Sequence, residues 1–153
     1  MKIRKAESKD FEKILMLNKK LFEFEKQFSD AYNLEWTCSE RGRKYFEERL
    51  KHAMAECWVA EDDNRVVGYL VSFINTYSYR STNPICEIEN MFIEQDFRRK
   101  GVGRALIEEL KITLKSRGVK KIRVESVFKN EGAVYFYKAM GFEDFNLILE
   151  IGL

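Results

Sequence analysis

Apolar positions along the chain follow a helical period first and a strand period later. Ile14, Leu17, Leu21, Phe24 and Phe28 are spaced by three or four residues, one stripe of an amphipathic helix. Ser8 offers this helix an N-cap, and Asp10 and Glu12 place negative charge in a first turn where the dipole favours it. Residues 1–6 ahead of it read as a short strand, with Ile3 turned inward between Lys2 and Arg4. Thr37 and Glu40 match a capping box opening a second helix to about Met54, with Tyr45, Phe46, Leu50, Ala53 and Met54 as its buried side. The period then shortens. Cys57–Glu61 and Val66–Ile74 are β-branched and aromatic runs separated by Asp62, Asp63, Asn64 and Arg65, a hairpin signal. A third run, Cys86–Ile93, follows a polar loop containing Pro84. Val102 to about Arg117 returns to the helical period, with Val102, Ala105, Leu106, Leu110 and Leu114 inside and Gly118 as its stop. Lys121–Val127 is a further strand, Asn130–Met140 a helix closed by Gly141, and Phe145–Ile151 a last strand. The order β-αα-ββ-β-α-β-α-β predicts a single α/β domain with a mixed sheet and a β-α-β crossover around residues 86–127.

Composition narrows the class of protein. The 153 residues, 45% of them hydrophobic, suffice for one domain covering residues 1–153 that buries roughly 70% of its unfolded surface without a staple. Basic residues number 27 and acidic ones 25, so no global charge argues for a nucleic-acid partner. Cys38, Cys57 and Cys86 lack C-x-x-C spacing and read as the reduced thiols of a cytoplasmic protein. His52, the one histidine, gives no basis for a metal site, and none is expected. The start MKIRKAESKD has no apolar signal region, and Val66–Ile74, interrupted by Gly68 and Ser72, is too short to span a bilayer. The expectation is a soluble cytoplasmic domain with neither membrane nor nucleic acid as partner.

The sharpest chemical signal joins the third run to the long helix: Arg98-Arg99-Lys100-Gly101-Val102-Gly103-Arg104. A strand, a glycine turn and a helix N-terminus gather free N–H groups at the positive end of a dipole, a ready anion site. The four basic side chains add charge around it. The dinucleotide fingerprint fails because Leu106 stands at its third glycine, and no G-K-[ST] follows for a nucleotide P-loop. Alone, the segment also reads as a plain turn. A second string, NEGAVYFYKAMGF, holds Asn130 as an N-cap, small Ala133, and Tyr137 almost two turns beyond Asn130. Tyr135, Phe136 and Tyr137 cannot share one helix face, so at least one points away from the core.

Together the two strings resemble the GCN5-related N-acetyltransferase (GNAT) family. Arg98-x-x-Gly101-x-Gly103 fits its Q/R-x-x-G-x-G/A loop, and Asn130-x-x-Ala133-x-x-Phe136-Tyr137-x-x-x-Gly141-Phe142 its other main motif. The element order is similar over essentially the whole chain. One departure is Arg99, where many members carry glycine. The resemblance implies a GNAT-like sheet flanked by helices, with acetyl-CoA bound in a V-shaped opening between the run Cys86–Ile93 and the strand Lys121–Val127. Backbone groups of Met91, Phe92 and Ile93 would pair with the pantetheine arm like an added strand. N–H groups of Arg99, Lys100, Gly101, Val102, Gly103 and Arg104 would hold the pyrophosphate. Asn130 and Ala133 would face the cofactor, and Tyr137 would sit beside the thioester sulfur.

Acetyl transfer to an amine needs a base for the amine, an N–H for the developing oxyanion, and an acid for the leaving thiolate. The resemblance gives the acid role to Tyr137 and the N–H to the strand around Met91–Ile93. For the base, alternation sets Glu87 and Glu89 on one face with Met91 and Ile93. Glu89 lies nearer the expected thioester and matches the strand glutamate of the family's polyamine acetyltransferases, while Glu87 corresponds to its histone-type members. Either is equally readable as a solvated strand carboxylate. Between Phe22 and Trp36, Glu23, Glu25, Asp30 and Glu35 face one Lys26 among Phe24, Phe28 and Tyr32. An acidic aromatic rim favours a cationic amine, so a small primary or polyamine-like acceptor is expected, with a protein N-terminus or lysine as the alternative. A sensor or assembly module that binds acetyl-CoA without turnover would need neither Tyr137 nor the glutamate pair. The alternating row Phe145, Leu147, Leu149, Ile151 could pair within the domain or across a homodimer.

Overall fold

Five strands form one sheet in the order of the chain: β1 (Lys2–Lys5), β2 (Ala55–Asp62), β3 (Arg65–Asn75), β4 (Ile85–Ile93) and β5 (Lys121–Val124). The computed structural model describes residues 1–153. The first four strands pair antiparallel and β5 joins β4 in parallel, which makes the sheet mixed, as expected. Asp63 and Asn64, both with positive φ, make the tight turn between β2 and β3, a conformation their short polar side chains tolerate.

Helices α1 (Phe11–Glu25) and α2 (Glu40–Lys51) cover one face; Ile14, Leu17 and Phe46 pack there on Val59, Tyr69, Val71 and Phe92. Helix α3 (Val102–Ser116) covers the other, with Leu106, Ile107 and Leu110 on Val67, Leu70, Cys86 and Ile88. Helix α4 (Glu131–Ala139) joins that second core through Phe136 and Tyr137, with Met140 just beyond its end. Leu106, Ile107 and Leu110 are fully buried, and truncating any of them to alanine would cost about 2–5 kcal/mol.

Both helix starts differ from expectation. A 3-10 turn, Ser8–Asp10, precedes α1, and the Glu7 N–H donates to Asp10 Oδ2 (2.8 Å), so the reciprocal pair is Glu7 and Asp10 rather than a Ser8 cap. Ser39 caps α2, its Oγ accepting from the Gly42 N–H at 3.2 Å. Thr37 is drawn into the interior, where its hydroxyl donates to Asn18 Oδ1 (2.6 Å). Buried hydrogen bonding competed with capping for that residue and won. Helix α2 stops at Lys51, leaving Ala53 and Met54 beyond it.

The last strand does not form. Residues 143–153 carry no regular structure, and Leu147, Leu149 and Ile151 are 77%, 82% and 87% exposed. A strand needs an edge to pair with, and β5, the edge beside which the sequence order would place it, is only four residues long and stays free on its outer side.

Candidate active site

At the end of β4 the chain enters a 3-10 turn, Gln95–Phe97, and then the glycine turn into α3. None of the backbone N–H groups from Arg99 to Arg104 has an acceptor within the protein. They converge at the positive end of the α3 dipole and stay open for an anion. Gly101 has φ +81°, which only glycine adopts without strain. Gly103 is closely packed: a Cβ there would lie 3.0 Å from the Phe136 ring and 3.1 Å from Ile93 Cδ1, so those side chains would have to give. Arg99 also adopts a left-handed backbone, φ +60°, a conformation that a glycine would take more readily. Arg98 turns back, its Nε donating to the Ile93 carbonyl (2.9 Å), with its guanidinium over the rings of Phe24 and Phe92.

Beside this turn the sheet opens. Pairing of β4 with β5 runs from Ile85–Lys121 to Ile88–Val124 and ends, while β4 continues to Ile93 on β3 alone. The edge of β4 over Met91, Phe92 and Ile93 is therefore without a strand partner on its β5 side. A cleft of about 490 Å³ fills the gap, bordered by α1, β4, the α3 N-terminus, Glu125–Val127 and α4.

The opening coincides with a β-bulge. Val71 pairs with Asn90 and Ser72 with Ile88, leaving Glu89 as the extra residue. Glu89 and Asn90 consequently both face α1 and α2, whereas Met91 and Ile93 pack on the α3 side. Strict alternation, which set Glu87, Glu89, Met91 and Ile93 on one face, is overturned by that inserted residue.

Glu89 is heavily engaged. Arg49 donates to it through both Nε (2.7 Å) and Nη2 (2.8 Å), and the Tyr45 hydroxyl donates to Oε2 (2.8 Å). Three donors take three of the roughly four lone-pair sites, so Oε1 keeps room for one more. The relay continues inward: Asn90 donates to the Tyr45 oxygen (2.9 Å), Asn18 to Asn90 Oδ1 (3.0 Å) and Tyr69 (2.9 Å), and Thr37 to Asn18. Burial pushes the Tyr45 hydroxyl well above its ordinary value, with the Glu89 charge adding to it. Glu87 is not on the cleft; Asn75, Tyr77 and Arg123 bind its carboxylate on the far side of the bulge.

Across the cleft, Asn130 caps α4 with Oδ1, which accepts from the Ala133 N–H (3.1 Å), while its Nδ2 donates to Glu25 Oε1 (2.7 Å). Tyr137 lines the same cleft, its ring against Phe136 and Phe142, and its hydroxyl has no partner in the protein. Burial, and then the charge of Glu25, raise that hydroxyl above the usual tyrosine value and keep it protonated at neutral pH. Arg99, Lys100 and Arg104 are exposed around the turn. The fold thus gathers Glu89, Met91, Phe92, Ile93, the Arg98–Arg104 segment, Asn130, Ala133 and Tyr137 at one opening, and leaves Glu87 outside.

Two features escaped sequence reasoning: the Thr37–Asn18–Asn90–Tyr45–Glu89 relay and the buried Glu25. Both left one trace. Asn18 and Glu25, seven residues apart, stand where the helical period of α1 turns inward, polar residues on an apolar stripe. The thiols contribute nothing here, since burial lifts Cys57 to about 12 and Cys86 to about 11, and Cys38 lies away from the cleft.

The sequence profile of the acetyltransferase (GNAT) family matches residues 11–142. An uncharacterized N-acetyltransferase of Methanocaldococcus jannaschii is 32% identical over 102 residues, 67% of this chain and 45% of that protein. The chain thus spans less than half of that relative's length. A thialysine N-epsilon-acetyltransferase of Bos taurus is 26% identical over 93% of this chain and 84% of its own. Among solved structures, a mutant of a Bacillus halodurans protein superposes with a TM-score of 0.86 at 20% identity, covering 100% of this chain and 99% of the other. The chain belongs to the GNAT family, whose members use acetyl-CoA as cosubstrate. No helix is long and apolar enough to cross a membrane.

Proposed function

We propose that this single domain transfers an acetyl group from acetyl-CoA directly to the primary amine of a small cationic molecule. The observation that carries the reading is the unbroken set of unpaired N–H groups from Arg99 to Arg104 at the mouth of a splayed strand pair. They fit a diphosphate: their charge is positive, their spacing is fixed by Gly101, and Arg99, Lys100 and Arg104 surround them. The free edge of β4 over Met91, Phe92 and Ile93 fits an extended amide-bearing arm, and Asn130 and Ala133 close the opposite wall.

When bound, acetyl-CoA supplies an activated thioester carbonyl. This chain's part is to orient it and to handle protons. Tyr137, unpartnered and held protonated, gives its proton to the departing sulfur. Glu89, through the one open site on Oε1, receives the amine proton by way of a water. The cleft's apolar lining (Phe22, Phe24, Ile88 and Met91 among others) limits competing water. The small amine is supported by the aromatic and acidic residues of the α1 end of the cleft and by the likeness to the thialysine enzyme. Free thiols at Cys38, Cys57 and Cys86 suit the reducing cytoplasm.

Thiol release from acetyl-CoA, measured over diamines, amino acids, aminoglycosides and peptides, tests the reading. Release is expected with small cationic amines. Preference for a peptide would replace the acceptor, and saturable cofactor binding with no release for any amine would turn the domain into a sensor. The exposed Phe145–Ile151 row, together with the open edge of β5, supports a homodimer. Light scattering should then give twice the mass of one chain, reduced to one chain when Leu147 and Leu149 become lysine.

A further inference from the structure

The cleft has two carboxylates at its α1–β4 wall, and only one has a counter-charge. Glu25, in the last turn of α1, is 9% exposed and takes part in no ion pair. One oxygen accepts from Asn130, and the other, Oε2, is buried without any hydrogen-bond partner. Buried carboxylates are ordinarily kept by a cation or by donors to both oxygens. A structural polar residue on this helix looks different. Asn18, one heptad earlier, has its amide satisfied on both sides by Thr37, Tyr69 and Asn90. Around Glu25 the cleft wall is aromatic, with Phe22 and Tyr32 lining it, while the ring of Phe24 already carries the Arg98 guanidinium. Ring faces together with an uncompensated carboxylate oxygen are the chemistry that receives an alkylammonium group.

We propose that Glu25 anchors the acceptor: its free oxygen receives the ammonium group of a small cationic amine and sets the enzyme's preference for charged over neutral acceptors. The inference rests on the acetyltransferase reading only for the word acceptor; the cation site stands on its own geometry. Glu25 lines the cleft with both of its buried phenols, and its charge is the next contributor after burial to the upward shifts of Tyr32 and Tyr137. An amine held there shares the cleft that Tyr137 lines. A cofactor amide could satisfy the hydrogen bond but not the charge, which favours a cation as occupant.

Calorimetric titration of 1,4-diaminobutane into the CoA-saturated protein tests this, with Glu25→Gln and Glu25→Asp beside the wild type. The wild type should bind the diamine and not 1-butanol. Glu25→Gln, which keeps the shape and the bond from Asn130, should weaken diamine binding about tenfold or more, the factor carried by one charge-assisted hydrogen bond. Glu25→Asp should retain part of it, and CoA affinity should stay within about twofold in all three. Equal diamine binding in wild type and Glu25→Gln overturns the proposal. So does no diamine binding by the wild type, or a CoA affinity that falls in step with the diamine's. Thiol release separates the two readings: Glu25-dependent binding without release removes the acetyltransferase reading and leaves the anchor, whereas release unaffected by Glu25→Gln removes the anchor alone.

Discussion

Glu89 and Glu25 border one cleft and are built in opposite ways. Glu89 sits on a bulge, pinned by Arg49 and Tyr45 at the end of a relay that reaches through α1 to Thr37. Glu25 sits on an ordinary helical turn with one oxygen bound by Asn130 and one bare. A carboxylate held by its own protein's donors is fixed in place and, at Glu89, keeps only the one site on Oε1 for a water. One left unsatisfied destabilises the empty protein and keeps its attraction for a ligand.

The comparison can be attacked from its largest consequence downward. Tyr137→Phe removes the hydroxyl that shares the cleft with both carboxylates; kcat should fall about 100-fold with the acetyl-CoA Kd nearly unchanged, as single-turnover kinetics and titration would show. An unchanged kcat removes Tyr137 from the acid role. Arg49→Met would make Glu89 resemble Glu25, leaving it without a cation; stability should drop by about 2 kcal/mol, read as a lower denaturant midpoint.

Glu25→Gln should act in the opposite direction, raising Tm near neutral pH by ~2–4 °C, equivalent to about 1 kcal/mol in a chain of this size. Its sign follows from linkage. Burial holds the Glu25 carboxyl above its ordinary value of 4.5, so the folded state binds that proton more tightly than the unfolded chain. The wild type therefore loses stability as pH rises from the ordinary value through the raised one, and Glu25→Gln should not share that loss. A Tm difference between the two proteins that stays constant from pH 4 to 8 would contradict this. Arg99→Gly supplies the smallest effect and a contrast in kind: relieving a left-handed backbone should add a few tenths of a kcal/mol, with no pH dependence.

Much of this cleft was legible in the sequence because its signals are local. The spacing of Gly101 and Gly103 before an apolar helix, and of Asn130, Ala133 and Tyr137 along the next, is set within one turn and one helix each. Long-range facts were not. Whether Glu89 alternates or bulges depends on how Val71 and Ser72 of β3 take up β4, which no spacing within β4 reveals. Thr37 satisfies every local rule of a cap and is claimed by Asn18, nineteen residues away in the chain. Phe145–Ile151 alternates as a strand should, yet a strand is defined by its partner, and in the single chain none is engaged. Glu25 was visible as a member of an acidic stretch; its isolation became visible only once the fold showed it buried and in no ion pair.

The open N–H groups between Arg99 and Arg104 belong to the main chain, and this shapes how the site withstands change. Replacing Lys100 or Arg104 removes surrounding charge but leaves every donor in place. Alanine scanning of this turn would thus under-report its importance. A proline at Lys100, or a β-branched residue at Gly101, strikes the donors themselves. Sequence drift among the basic residues is tolerated by such a design, while the path of the backbone is not.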